Sequence, residues 1–120
     1  MTGNSGSPKR GEIWFANLGE LDASQGAEIQ KARPVLIMGN NIVNQRRRTV
    51  LVIPLATSGN PAQANPPVSV EVMCSGRRGI AVIDQLRALD KKRLVNLVDT
   101  IHGGDLDLVV QALCQILEIS

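Results

Sequence analysis

Aromatic residues are nearly missing from this chain of 120 residues, which has no tyrosine, one tryptophan and one phenylalanine. Proteins that hold single strands of nucleic acid by base stacking use several aromatic platforms, and so do domains that grip proline-rich peptides in a groove. Both modes are disfavoured, so any contact with a nucleic acid has to rest on arginines, hydroxyls and backbone groups. Cysteine and histidine are equally sparse. Cys74 and Cys114 are too few and too far apart for a disulfide framework, and the single His102 has no second histidine or Cys-x-x-Cys beside it. The cysteines read as small core residues and His102 as a turn or cap before Gly103-Gly104, with no metal or cofactor expected. No apolar run reaches membrane-spanning length and the N-terminus lacks the apolar core of a secretory signal, so the expectation is a cytoplasmic protein with no membrane partner.

Charge of one sign is also lacking. The net charge is +2, which by itself points to no partner. Its distribution is uneven, with seven Lys/Arg against four acids in residues 1–60 and six against seven in residues 61–120. The excess lies in the half that holds Arg33 and Arg46-Arg47-Arg48.

What is present is organised around Ala27 to Ser58, a polar loop followed by two apolar runs with a basic turn between them. Pro34 fixes its own φ and biases Arg33 toward extended backbone, placing both at a sheet edge or in the first positions of a strand that continues through Val35 to Met38. Thr49 to Leu55, rich in β-branched residues, reads as a strand covered on both faces, with Pro54 marking an edge, a bulge or an exit. Asn40, Asn41 and Asn44 supply turn chemistry between the two. An antiparallel pair of this kind brings Arg33 near Thr57 and Ser58, and a fixed cation beside hydroxyls at strand ends makes a phosphate site.

The remaining pattern is of short strands and long loops. Residues 1–10 are expected to be a disordered tail and residues 11–120 a single domain. A strand starts at Gly11 or Glu12 and carries Trp14 and Phe15 on opposite faces, one of them toward the core. Leu18 to Gln30 and Gly59 to Pro67 read as long loops. Val68 to Met73 alternates as a half-exposed strand, Ser75 to Gly79 turns, Gly79 to Asp84 is a further apolar run continued or bent away by Gln85 to Leu89, and Leu94 to Thr100 is a last strand. From Asp105, residues Leu106, Val109, Val110, Leu113, Ile116 and Leu117 recur at helical spacing, with Gly103 or Gly104 as N-cap. The sum is a mainly β domain with some α, a small barrel with a C-terminal helix packed on it.

The blocks Gly11-Glu12-Ile13-Trp14, Gly26-Ala27-Glu28, Arg33-Pro34-Val35-Leu36, Asn44, Pro54-Leu55 and Asp84-Gln85-Leu86-Arg87 with Asp90-Lys91 resemble, in this order, those of the MazF/PemK family of toxin endoribonucleases. The match runs from Gly11 to Ile119. The resemblance implies an SH3-like barrel of the CcdB/PemK type, a homodimer that cleaves single-stranded mRNA at specific sequences without metal, silenced by a cognate antitoxin. It implies that Arg33 is the catalytic arginine and Glu28 the family's loop acid, although Ala27 stands where that family has serine. The family's catalytic threonine follows Pro-x directly. Here Ala56 occupies that place, with Thr57 one residue later and Ser58 two, and either hydroxyl is a candidate. Lys31, Arg46, Arg47, Arg48, Asp84, Gln85 and Arg87 are candidates for RNA contact. Arg46 to Arg48 read equally as a solvated hairpin tip, and Asp84 as a structural carboxylate. Two other functions share such barrels, a CcdB-like gyrase poison that acts by binding and a non-catalytic SH3-like interaction module.

The implied chemistry is an attack by the 2′-hydroxyl that leaves a cyclic phosphate and a free 5′-hydroxyl. The protein has to stabilise the phosphorane charge, help remove the 2′ proton and protonate the leaving oxygen. Arg33 suits the first task, Thr57 or Ser58 can position a phosphate oxygen, and Glu28 can accept a proton if its pKa is raised.

Overall fold

A computed structural model of the chain describes residues 7–19, 32–56 and 64–119. Among them lie seven strands, β1 (Glu12–Asn17), β2 (Ala32–Ile37), β3 (Thr49–Ala56), β4 (Ser69–Cys74), β5 (Arg77–Val82), β6 (Arg87–Asp90) and β7 (Leu94–Thr100). Helix α1 (Asn41–Arg46) joins β2 to β3, helix α2 (Gly103–Leu117) ends the chain, and single 3-10 turns at Ile83–Gln85 and Lys91–Arg93 flank β6. Every pairing is antiparallel, in the order β4-β5-β3-β2-β1-β7, with β6 added beside β3. The sheet curls into a half-barrel, and α2 packs on β4 and the Ile83–Gln85 turn.

The two apolar runs are continuous because the sheet has a core on each face. Side chains alternate along a strand, so Leu36, Ile53 and Leu55 join Ile13, Val72 and Ile83 under α2, while Val35, Ile37, Val50 and Val52 join Ala16 and Leu89 on the opposite side. Each of these aliphatic side chains is buried, and full burial of one stabilises the fold by about 1.5–3 kcal/mol. The helix contributes Val109 and Ala112, flanked by Leu106, Val110, Leu113 and Ile116. Leu117, expected on the same stripe, is 49% exposed.

Several local expectations are corrected. The polar turn between the two central strands is α1. Asn40 caps it by accepting from the Val43 N–H at 2.9 Å, and Asn44 turns inward, fully buried, donating to the Gly39 carbonyl at 2.9 Å. A Cβ on Gly39 would sit 2.7 Å from Asn44 Oδ1, so the helix and this glycine fit each other closely. Of the two placements open to Arg33 and Pro34, the structure takes the opening positions of the strand and not a sheet edge: they are the second and third residues of β2, which lies between β1 and β3. Neither aromatic is a core residue: Trp14 is half-buried against the second core and Phe15 is 36% exposed, because Ile13 and Ala16 hold the inward positions of β1. The N-cap of α2 is His102 rather than a glycine, through backbone geometry with no side-chain bond. Of the expected tail, Pro8 is buried and Arg10 is tied to the fold, its N–H donating to Asn41 Oδ1 and its Nη1 to the Met38 carbonyl. No helix among the described residues is long and apolar enough to cross a membrane.

Two carboxylates tie the tip of the β4–β5 hairpin to the end of the chain. The turn residues Ser75 and Gly76 both have positive φ, 53° and 78°, as a two-residue hairpin requires. Asp99 accepts from the N–H groups of Ser75 at 2.7 Å and Thr100 at 2.8 Å, and Asp105 accepts from that of Met73 at 2.9 Å. The Ser75 bond first, then the Thr100 bond, holds the Asp99 carboxyl below the usual carboxylate range. Its contribution to stability is therefore present above the unfolded carboxylate's value, about 3.9, and is lost as pH falls through the lower folded value. Asp99→Asn should lower the urea midpoint near neutrality and flatten its decline in acid. Parallel decline of both proteins between about pH 4 and pH 2 would reject this role.

Candidate functional site

The site arises where β2 and β3 part. Their ladder runs from Ile37 opposite Val52 to Val35 opposite Pro54 and then stops. Pro34, whose nitrogen would face Leu55, lacks an N–H and ends this ladder, while the donor missing at Pro54 is on the opposite edge of β3, the edge that faces β6 and then β5. Beyond the ladder's end, Ala32 to Pro34 pair only with β1, while Leu55 and Ala56 pair with Ala81 and Ile80 of β5. The strand exit expected at Pro54 is thus a handover, with β3 paired to β6 up to Val52 and to β5 from Leu55.

The wedge between the parted strands is a groove of about 660 Å³, lined by Leu18, Arg33, Pro54, Leu55, Ala56, Val82, Gln85 and Arg87. Leu18, Pro54, Leu55, Ala56 and Val82 give it apolar walls, and its polar side chains are two guanidiniums and one amide. Arg33 is exposed at the start of β2 and makes no ion pair among the described residues, leaving its planar fork open to an anion. Arg87 is half-buried and fixed by the β3–β6 ladder, opposite Val52. Gln85 is held at the end of a 3-10 turn whose first residue, Ile83, is fully buried and donates its N–H to the Val68 carbonyl at 2.9 Å. Leu18 is positioned by Arg93, whose Nη1 donates to the carbonyls on either side, Asn17 at 3.0 Å and Gly19 at 3.2 Å.

Of the residues singled out in the sequence, the fold brings together Arg33, Gln85 and Arg87. Asp84, on the same turn as Gln85, is exposed and does not line the groove. Arg46, the last residue of α1, and Arg47 and Arg48, which link it to β3, are exposed at the opposite end of β3. Glu28, Lys31, Thr57 and Ser58 lie outside the described residues. Ala56 does line the groove, so a methyl group occupies the position where the resembling family carries its threonine. Leu18 and Val82 were not singled out; they are wall residues with no chemistry of their own. Cys74 stays a core residue, its buried thiol pushed up by desolvation and so poor as a nucleophile.

A family model described as PemK-like, MazF-like toxin of type II toxin-antitoxin system matches residues 9–117. The chain belongs to this family. Among characterised relatives of this toxin-family chain, Endoribonuclease EndoA of Bacillus subtilis (strain 168) is 29% identical over 107 residues, 88% of this chain and 90% of the relative. Endoribonuclease PemK of Escherichia coli is 36% identical over 85 residues, 70% of this chain and 62% of that protein. Among solved structures, an endoribonuclease in complex with its cognate antitoxin from Mycobacterial species superposes with a TM-score of 0.74 at 23% identity, covering 94% of this chain and 97% of that one. MazF from Deinococcus radiodurans gives a TM-score of 0.73 at 20% identity, covering 93% and 97%. These likenesses show the same fold, the small toxin barrel with a terminal helix that the sequence blocks implied.

For this PemK-like chain the groove makes a local prediction. A short RNA made uncleavable by 2′-deoxy substitution should shift the amide resonances of Leu18, Arg33, Ala56, Gln85 and Arg87 in the 15N-labelled protein. Shifts confined to the β4–β5 hairpin, around Arg77 and Arg78, would place binding elsewhere.

Proposed function

We propose that the chain is the toxin of a type II toxin–antitoxin pair, an endoribonuclease that cuts single-stranded mRNA at specific sequences in the groove between β2, β3 and the β5–β6 connection. The observation that carries the placement is Arg33, an exposed guanidinium with no ion pair among the described residues, lining a groove that also holds Arg87. Two cations among apolar side chains suit a transferring phosphate better than a neutral peptide. Both rise from strands whose backbone the sheet holds, so less has to reorganise when charge builds on the phosphorane than at a loop.

In this reading the cut is metal-independent and uses the substrate's own 2′-hydroxyl. Arg33 binds two nonbridging phosphate oxygens through parallel N–H bonds, and Gln85 and Arg87 orient the strand on either side of the scissile phosphate. Since Ala56 offers no hydroxyl, Thr57 or Ser58, which follow it directly, positions the phosphate; Glu28 takes the 2′ proton as the 2′-oxygen bonds to phosphorus, the P–O5′ bond breaks, and the leaving 5′-oxygen takes a proton from solvent water. A homodimer, a cognate antitoxin that masks the groove, and a cytoplasmic site of action belong to the same proposal. The mycobacterial relative's structure, which holds its own antitoxin, supports the second of these.

Arg33→Ala should cut cleavage by about 10²- to 10³-fold or more with the fold intact. Arg33→Lys should recover little, because an ammonium cannot make the planar double contact. The assay is a long single-stranded RNA in EDTA, with products checked for cyclic phosphate ends. Near-normal cleavage by Arg33→Ala would sink the assignment, and intact RNA with wild-type protein together with gyrase inhibition would favour the binding poison.

The hydroxyl is assigned by comparing Thr57→Val with Ser58→Ala. If Thr57 acts, the first is severely impaired and the second mild; if Ser58 acts, the order reverses. Normal cutting by both single variants and the double would remove the hydroxyl from the mechanism.

A further inference from the structure

The fold gathers a second set of cations at a distance from the groove. The 3-10 turn after β6 lies against the link between α1 and β3: Lys91 donates its N–H to the Arg48 carbonyl at 2.8 Å and its Nζ to the Gln45 carbonyl at 3.4 Å, and Asp90 stands opposite Thr49 in the β3–β6 ladder. Arg46, Arg47, Arg48, Lys91 and Lys92 therefore share one small region, with Lys91 half-buried and the other four exposed. Asp90 is the carboxylate among them, and its Oδ1 is engaged by the Lys92 N–H at 2.8 Å. None of the five cations is in an ion pair among the described residues.

Five cations and one carboxylate give this region a net +4, against +2 for the whole chain, so the remainder carries −2. Like charges held this close repel each other and weaken the compact state. The exposed apolar side chains nearby, Ile42 and Val43, stand one turn before the arginines on α1, and four of the five donors are long, flexible and open to solvent. That combination fits phosphates and carries no sequence preference.

β6 links this region to the groove. Arg87 lines the groove at one end of the strand and Lys91 follows its other end, four residues on, a separation of about 13 Å along an extended backbone. The residues between Arg87 and Asp90 are Ala88 and Leu89, so no charge interrupts the path over that part of the strand.

We infer that Arg46, Arg47, Arg48, Lys91 and Lys92 form an exosite for the RNA backbone, which holds the stretch flanking the cut site a few nucleotides from the scissile phosphate. The inference rests on the endoribonuclease reading for the identity of the polyanion, and it assigns a different part of the surface a different task. The groove selects and cuts; the exosite adds affinity for long RNA whatever its sequence, and that affinity falls with salt.

The test measures binding in an Arg33→Ala background, so that cutting does not intervene. Two mixed-sequence single-stranded RNAs are used, a hexanucleotide and one several-fold longer, over a range of salt concentrations. The comparison is with the same protein carrying Arg46→Gln, Arg47→Gln and Lys92→Gln, all exposed positions, whose urea midpoint is checked alongside. The parent should bind the longer RNA more tightly and with the steeper salt dependence. The variant should keep the parent's affinity for the hexanucleotide, while for the longer RNA the slope of log K on log salt falls by about 2, the loss of three phosphate contacts at about 0.7 each on a single strand. Arg46→Lys/Arg47→Lys, which preserves charge, should restore most of the parent slope at those two positions.

Equal slopes in parent and variant, or equal losses on both RNAs, would overturn the exosite. So would an unchanged RNA slope accompanied by lost binding to polyglutamate, which would make the patch a docking site for an acidic protein segment. Cleavage by protein with Arg33 intact is assayed separately. A lowered binding slope with no cutting by that protein would remove the endoribonuclease reading and leave the exosite standing as a polyanion site.

Discussion

Two absent backbone donors set the geometry on which the rest of this structure depends. An antiparallel ladder continues as long as each strand can supply its N–H groups; Pro34 withholds one from β3, and Pro54 withholds one on the opposite edge of β3, where that strand passes from β6 to β5. β2 then keeps only β1 as a partner, β3 turns to β5, and a groove opens between them. Arg33 precedes one of these prolines and Ala56 lies two residues past the other, so the residues that end the pairing also set Arg33 and Ala56 along the groove. A guanidinium at the start of a strand is also held better than one on a free loop, because its backbone is fixed on one side by the β1 ladder.

The groove could be read from the sequence only in part. Strong signals came from periodicity: the apolar runs through Val35 and Ile53 needed a core on both faces, and the structure supplies two. The 3.6-residue stripe of α2 was equally plain, since helical spacing over four turns has no competing explanation. The chain around Asn40 to Asn44 was ambiguous for a chemical reason. A side-chain amide that can bond nearby backbone favours turns and helix caps alike, so a cluster of asparagines does not say which one forms. In the structure Asn40 caps α1 and Asn44 turns inward to the Gly39 carbonyl; the full burial of Asn44 depends on the surrounding fold, which the local sequence does not announce.

The site shows the same division. Arg33 was legible because a charged residue before a proline at the head of an apolar run has few structural uses. Gln85 and Arg87 were legible as parts of a family block, whereas Leu18 and Val82, which give the groove its walls, carry no signal apart from their placement. Asp84 had the same block to recommend it, and its neighbour's side chain, not its own, lines the groove. The motif names the turn; which of two adjacent side chains faces the cleft is set by how Ile83 is buried.

Because β3 is shared, the half-barrel consists of two plates on a common hinge strand. One plate contains β1, β2, β6 and β7, the other β4 and β5 with α2 resting on β4, and the groove lies across the seam with Arg33 and Arg87 on the first plate and Val82 on the second. The plates share one core, in which Ile13, Leu36 and Ile53 meet Val70, Val72 and Ala81, and Asp99 of β7 holds the Ser75 N–H, so the width of the seam is set by close packing that resists deformation. A molecule seated across the seam braces it. By linkage, whatever occupies the groove also raises the free energy needed to separate the plates, so occupancy and resistance to unfolding rise together for RNA and for any inhibitor that fills the same space.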